Sequence, residues 1–302
     1  MRLYGKFLCN PYAWRERAAT KVSFDAVTPI IVVPLLMFVA AQSLLCSVVV
    51  FSLTPLLIYY VHRNFLRFLM RTKFFFVWII TSIFVLMLIF EVNVVPLLEI
   101  LPEENLAFMI FVIGGLTFGF ITREKAEHPW TYNDEAYERL ELGAVSVDAC
   151  SICKKSTQPM TYHCRVCQTC VSGRQYHNKW LDCCIGASNL WWYLACLFSS
   201  AFALIFGSNL TFTTICHPFV FVWTILLPDD CSDAYHQLDI SICFVGGIYS
   251  LLLGTVMAFY FFFHLWLMYQ KTTANERKLL YSTQPTAGFL RNAAQRCCKL
   301  LS

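Results

Sequence analysis

The sequence predicts an all-α integral membrane protein of six transmembrane helices, with a cysteine-rich loop domain between spans 4 and 5. Three observations carry that prediction. Of the 302 residues, 58% are hydrophobic and only 14% charged, more apolar side chain than one water-exposed globule can bury. The apolar residues form uncharged runs long enough to cross a bilayer. The cations are confined to alternate segments between those runs.

The spans follow in chain order. Between Asp25 and Arg63 lie 37 residues without Asp, Glu, Lys or Arg. As one helix this run would be about 55 Å long, against a bilayer core of about 30 Å, so it folds back on itself near Gln42 and Ser43 to give two spans. Pro29, Pro34 and Pro55 mark kinks in that hairpin, tolerable where neighbouring helices satisfy the freed carbonyls. Further uncharged runs lie between Lys73 and Glu91, between Glu104 and Arg123, from Ile185 to about Thr213, and between Asp239 and Lys271. The organisation is therefore an N-terminal segment (1–25), four spans (26–122), a linker (123–147), the cysteine-rich domain (148–190), two spans with an intervening loop (191–270) and a tail (271–302).

Orientation comes from charge. All 23 Lys and Arg lie before Asp25, from Arg63 to Lys73, from Arg123 to Lys179, or from Lys271 to Lys299. Segments 91–104 and 214–239 hold none and are acidic. By the positive-inside rule both termini and the cysteine-rich loop face the cytosol. The basic, aromatic N-terminus lacks the layout of a cleavable signal peptide, and the first span directs insertion. Residues 214–228 are apolar but too short to cross, and read as an interfacial or re-entrant segment. Cys216 and Cys231, on the oxidising side, either pair or stand as separate thiols. The glycosylation pattern at Asn209 lies too close to the membrane for modification to be expected.

Seven of the fifteen cysteines fall between 150 and 184. The cytosol keeps thiols reduced, so such density argues for metal rather than disulfides. The candidate ligands are Cys150, Cys153, His163, Cys164, Cys167, Cys170, His177 and Cys184. Two ligands separated by two residues can bend round one tetrahedral zinc ion, whereas adjacent residues such as His163 and Cys164 point apart. The eight divide into two closed sites of three thiolates and one imidazole. The preferred division is Cys150, Cys153, His163 and Cys170 for one ion, and Cys164, Cys167, His177 and Cys184 for the other. Closed sites of this kind leave no position for water or substrate and are structural, so metal-binding energy serves as folding energy.

This array, followed by Trp180, Cys184-Ile185-Gly186 and Asn189, resembles the cysteine-rich domain of the DHHC protein S-acyltransferases, the palmitoyltransferases. Thr273-Ala274-Asn275-Glu276 is similar to a degenerate form of that family's Thr-Thr-x-Glu motif, and Gly288 through Asn292 resemble its C-terminal motif. The resemblance implies a membrane enzyme of the endoplasmic reticulum, Golgi or plasma membrane, with palmitoyl-CoA as acyl donor. It also implies that the tetrad Asp-His-His-Cys falls on Gln175-Tyr176-His177-Asn178. Asn178 then stands at the nucleophile position, Tyr176 and Gln175 at those of the base and its orienter, and His177 at a metal ligand. Ala274 replaces a Thr that lies near the tetrad's Asp in the family.

All eight ligand positions are kept while the three acyl-transfer positions are changed. An amide nitrogen, its lone pair delocalised into the carbonyl, cannot form a thioester. Tyrosine, with a reference pKa near 10, is a poor base at neutral pH. The leading expectation is a pseudoenzyme: a membrane scaffold or partner binder, with palmitoyl-CoA as a retained ligand at most. The alternative is an active palmitoyltransferase with a relocated nucleophile, for which Cys183 is the extra thiol of the loop. Nucleic acid is a poor partner for a chain of net charge +4 with its cations beside apolar runs. A channel is disfavoured because no Lys, Arg, Asp or Glu lies well inside a span. Cys9, Cys297 and Cys298 lie where S-palmitoylation of the chain itself would occur, while Cys46, Cys196 and Cys243 read as packing residues.

Overall fold

The computed structural model describes residues 24–64, 72–98, 100–127, 148–150, 152–153, 156–157, 161–222 and 225–269. Cys9, the 128–147 linker, the motif around Ala274, the 288–292 motif and Cys297 and Cys298 lie outside the described residues.

Helix α1 (Phe24–Ala40) and helix α2 (Leu44–Asn64) form the expected hairpin. Its turn falls at Ala41–Ser43, where the Cys46 N–H donates to the Ser43 hydroxyl at 3.2 Å and so caps α2. Both helices run through their prolines, because in a lipid phase no water competes for the backbone. Helix α3 (Phe74–Ile89) passes through a π-helical turn (Phe90–Val94) into the short α4 (Val95–Leu98). Helices α5 (Pro102–Glu127), α6 (Leu190–Ile215) and α7 (Leu238–Tyr269) complete the bundle.

Among the described residues five helical stretches are long and apolar enough to cross a membrane: α2, Phe74–Leu97, α5, α6 and α7. The expected first span is shorter. At 17 residues α1 reaches about 26 Å. It packs along α2 and α3, and Val33 is buried with Phe74, Phe75 and Trp78.

The main core lies between α3, α5, α6 and α7, where Phe90 and Phe108 meet at 4.2 Å between ring centroids. Small residues let these helices approach closely. A Cβ on Gly115 would come within 2.7 Å of the Ser200 hydroxyl, and one on Gly254 within 3.2 Å of the Ile205 backbone nitrogen. The glycine-rich stripes therefore face this chain's own helices. Outside the core, leucines and phenylalanines such as Leu45, Leu56, Phe84, Phe259 and Phe262 stay largely exposed, which for a bundle of this length means a lipid-facing perimeter.

Strands interrupt the expected all-helical picture. Residues 148–185 form three antiparallel pairs: β1 (Asp148–Ala149) with β2 (Ser156–Thr157), β3 (Thr161–Cys164) with β4 (Thr169–Ser172), and β5 (Tyr176–Asn178) with β6 (Cys183–Ile185). Residues 214–228, expected as an interfacial or re-entrant segment, instead lie largely in a hairpin of β7 (His217–Val222) and β8 (Ile225–Asp230). A disulfide between Cys216 and Cys231 closes its base. Short apolar runs rich in Phe, Val and Ile are ambiguous between helix and strand, and here turn and cross-link decide for strand.

The two ends of the bundle differ. At one end the cysteine-rich loop sits on the last turns of α2, α5 and α7 and the first turns of α3 and α6. At the other, the Tyr235 hydroxyl donates to Ser47 at 2.8 Å, and Ser47 donates to the Ala40 carbonyl at 2.7 Å. That contact ties the segment after the disulfide to the α1–α2 turn.

Candidate metal centres and the acyl-transfer position

The ligand clusters are products of hairpin geometry. In β3 and β4, His163 stands directly opposite Cys170, while Cys164 points to the other face of the strand. His163 and Cys170 join Cys150 and Cys153. The His163 Nδ1 lies 3.2 Å from Cys153 Sγ and 3.7 Å from Cys170 Sγ, and the two sulfurs are 3.6 Å apart. Cys164 and Cys167 join His177 and Cys184, themselves an opposed pair on β5 and β6. The His177 Nδ1 lies 3.3 Å from Cys167 Sγ and 3.8 Å from Cys184 Sγ, with those sulfurs 3.5 Å apart.

In each two-residue spacing the second cysteine's backbone N–H donates to the first cysteine's sulfur, Cys153 to Cys150 and Cys167 to Cys164, both at 3.5 Å. Within each cluster the donor atoms all lie within 4.8 Å of one another. A zinc tetrahedron with Zn–S bonds of about 2.3 Å has edges of about 3.8 Å, so donor types and spacings both fit such an ion. The Cys164 thiol is held well below its ordinary range by hydrogen bonds from the Cys167 and Cys184 thiols, while the same contacts and burial push the Cys167 thiol above its own. Arg174 adds a donor 3.9 Å from the same sulfur.

The opposite face of the β5–β6 hairpin carries the positions that the resemblance assigns to acyl transfer. Strand alternation puts Tyr176 and Asn178 on the face away from His177, and Asn178 is directly opposite Cys183. Asn178 is buried, and its amide is fully engaged. Its Oδ1 accepts from the Trp180 and Leu181 backbone N–H groups at 2.9 and 3.2 Å, and its Nδ2 donates to the Tyr193 hydroxyl at 3.3 Å. The Tyr176 hydroxyl meets that of Tyr193 at 2.8 Å and the His264 Nε2 at 3.3 Å, with the Tyr176 and His264 rings stacked at 5.6 Å. Burial holds the Tyr176 phenol well above its ordinary range. The Gln175 backbone N–H donates to the Ile185 carbonyl at 2.9 Å, prolonging the hairpin.

Cys183 is 4% exposed and packs with Ile185, Tyr193 and Leu197. Burial pushes its thiol up to about 12. Beside Asn178, Lys179 reaches His62 on α2 at 2.8 Å, and Trp180 packs edge-on against Phe75 of α3 at 4.9 Å. Asn189, 1% exposed, accepts from the Gly186 N–H and donates to the Thr122 and Cys184 carbonyls at 3.0 and 2.9 Å, locking loop to bundle.

Sequence reasoning brought out the ligands, the three substituted positions, Cys183 and Asn189, but not Tyr193, His264, Lys179, His62 or Asp182. His264 was the findable one, since an imidazole inside an apolar span calls for a polar partner. Tyr193 gave no signal, because a tyrosine near a span end is ordinary.

Comparison with known proteins places this geometry. A family model described as DHHC palmitoyltransferase matches residues 146–279. Palmitoyltransferase ZDHHC23-B of Danio rerio is 23% identical over 273 residues, covering 77% of this chain and 63% of that protein's length. Palmitoyltransferase ZDHHC23 of Mus musculus is 24% identical over 335 aligned positions, covering 92% of this chain and 78% of the mouse protein. Palmitoyltransferase ZDHHC15A of Danio rerio is 30% identical over 141 residues, 46% of this chain and 39% of its own. With two Cys₃His clusters in the matched segment and long apolar helices on either side of it, residues 146–279 carry a domain of the DHHC palmitoyltransferase type.

Proposed function

We propose that this chain is a DHHC-family membrane protein that keeps two structural zinc centres but no longer transfers acyl groups, and acts as a scaffold or partner binder in the membrane. One observation carries this reading. At the position where the family's nucleophile belongs, the Asn178 amide is buried and bonded on both its oxygen and its nitrogen. The group is both chemically unable to form a thioester and built into the loop as a structural part.

In this reading Cys150, Cys153, His163 and Cys170 hold one ion, and Cys164, Cys167, His177 and Cys184 the other. Bound zinc supplies a cross-link that folds a segment with little apolar core of its own. The residues of the reactive face do a different task. Tyr176, Tyr193 and His264 join the loop to α6 and α7, so two hydroxyls and an imidazole hold structure here. The loop and both termini face the cytosol, and the chain resides in an endomembrane or the plasma membrane, with palmitoyl-CoA as a ligand at most. Cys183 does not rescue turnover, because it is enclosed between β6 and α6, where an acyl-CoA thioester has no line of approach.

The test is acyl labelling of the purified full-length protein with palmitoyl-CoA. The expected result is no hydroxylamine-sensitive label on residues 148–190. Label that disappears in Cys183→Ser would overturn the proposal, whereas label traced to Cys9, Cys297 or Cys298 would mark the chain as a client of another acyltransferase.

A further inference from the structure

We propose that Asp182 is a positioning residue for the inner metal centre: its carboxylate orients His177 so that the ring presents Nδ1 to the three thiols. This rests on the zinc reading above.

The two centres share their donor set but differ in what stands behind the imidazole. In both clusters Nδ1 faces the sulfurs, leaving Nε2 on the far side of the ring. Behind His177 that nitrogen lies 4.0 Å from an Asp182 carboxylate oxygen, and both side chains are more than nine-tenths buried. Behind His163, Nε2 is buried with no hydrogen-bond partner among the described residues. The outer centre is therefore an internal control for the inner one.

The backbone is shaped to place this carboxylate. Asp182 ends the Lys179–Asp182 turn in a left-handed conformation, at φ +50, which Asp tolerates better than most residues. Asn178 holds the other end of the turn by accepting from Trp180 and Leu181. The carboxylate is thus delivered to the back of the ring by the same turn that the substituted nucleophile position caps. A buried carboxylate carries a large desolvation cost unless it meets positive charge or N–H donors. An imidazole bound through Nδ1 carries its proton on Nε2, the atom nearest Asp182. At 4.0 Å the pair interacts through space, and a closer approach of about 1 Å would make it a direct N–H···O bond. A carboxylate there fixes the ring's tautomer and plane and raises its basicity as a ligand, an effect worth about 10- to 100-fold in metal affinity at comparable sites.

The experiment uses full-length protein in detergent. Metal content is measured first, then the rate at which a colorimetric chelator removes each ion from wild type, Asp182→Asn and Asp182→Ala, alongside the spectra of the Co²⁺-substituted proteins. Asp182→Asn keeps an acceptor of the same shape at the ring. The expected result is two ions in wild type, with one of them leaving about 10- to 100-fold faster in Asp182→Ala and at an intermediate rate in Asp182→Asn. The other ion leaves at its original rate, and the Co²⁺ bands change for one centre only. Equal rates in all three proteins would overturn the role of Asp182 while leaving the metal centres standing. Accelerated loss of both ions in either variant would also overturn it, since that is collapse of the loop and not orientation of one ring. A wild-type protein without metal would overturn the centres and this role together.

Discussion

Asn178, at the position proposed to have held the nucleophile, is built into the loop as a structural part. Two backbone donors and a tyrosine hydroxyl converge on one side-chain amide in a buried setting. Asn178→Ala leaves those groups without partners, and the expected cost is about 1–3 kcal/mol, read as a lower melting temperature with unchanged behaviour toward palmitoyl-CoA. A fall in acyl labelling in that variant would contradict the purely structural role. Tyr193→Phe removes the hydroxyl shared by Asn178 and Tyr176 while keeping the ring, at an expected cost of about 1 kcal/mol or more. Because the two residues share that hydroxyl, the double variant Tyr193→Phe with Asn178→Ala should cost less than the two single costs added together, and strict additivity in a thermal melt would break the network.

At the scale of the element, the β5–β6 hairpin separates two tasks by strand alternation. His177 and Cys184 point to the metal side, while Tyr176, Asn178 and Cys183 point to the bundle. One face can therefore change its chemistry without disturbing the other, which is how the proposed function can keep its ligands beside substituted acyl-transfer positions. Gly186 ends this hairpin against the Ser172 carbonyl, where a Cβ would come within 2.9 Å of that oxygen. Gly186→Ala is expected to push the β3–β4 hairpin away from the β5–β6 hairpin and speed chelator removal of metal, and an unchanged release rate would count against the contact. The ligand clusters were legible because adjacent residues on an extended chain must face opposite ways, a rule that needs no tertiary knowledge. The β7–β8 hairpin was not, because residues 214–228 carry an apolar run too short to span and without a period that separates strand from helix. Their cross-link, left open between two outcomes by spacing alone, is resolved by the meeting of Cys216 and Cys231 at the hairpin base.

At the scale of the molecule, the five long apolar helices and one shorter one among the described residues carry a distinct sulfur chemistry at each end. The long apolar helices were readable because a bilayer imposes their length directly. Which helix ends the loop would grip was not, since Thr122, Phe75, His62 and His264 are spread over more than 200 positions of chain and meet only on folding. Replacing Cys216 and Cys231 together by Ser opens a loop with a sequence separation of 15, for an expected loss of about 3 kcal/mol. The effect should appear as a lower melting temperature with both metal ions retained. The placement of the two sulfur chemistries has a consequence for biogenesis. The free thiols of the two clusters and the joined pair Cys216–Cys231 lie a full bundle length apart. In the proposed orientation the first set meets the reducing side of the membrane and the second the oxidising side. A chain threaded the opposite way would then put each set in the other's redox environment, scrambling the first and leaving the second unjoined.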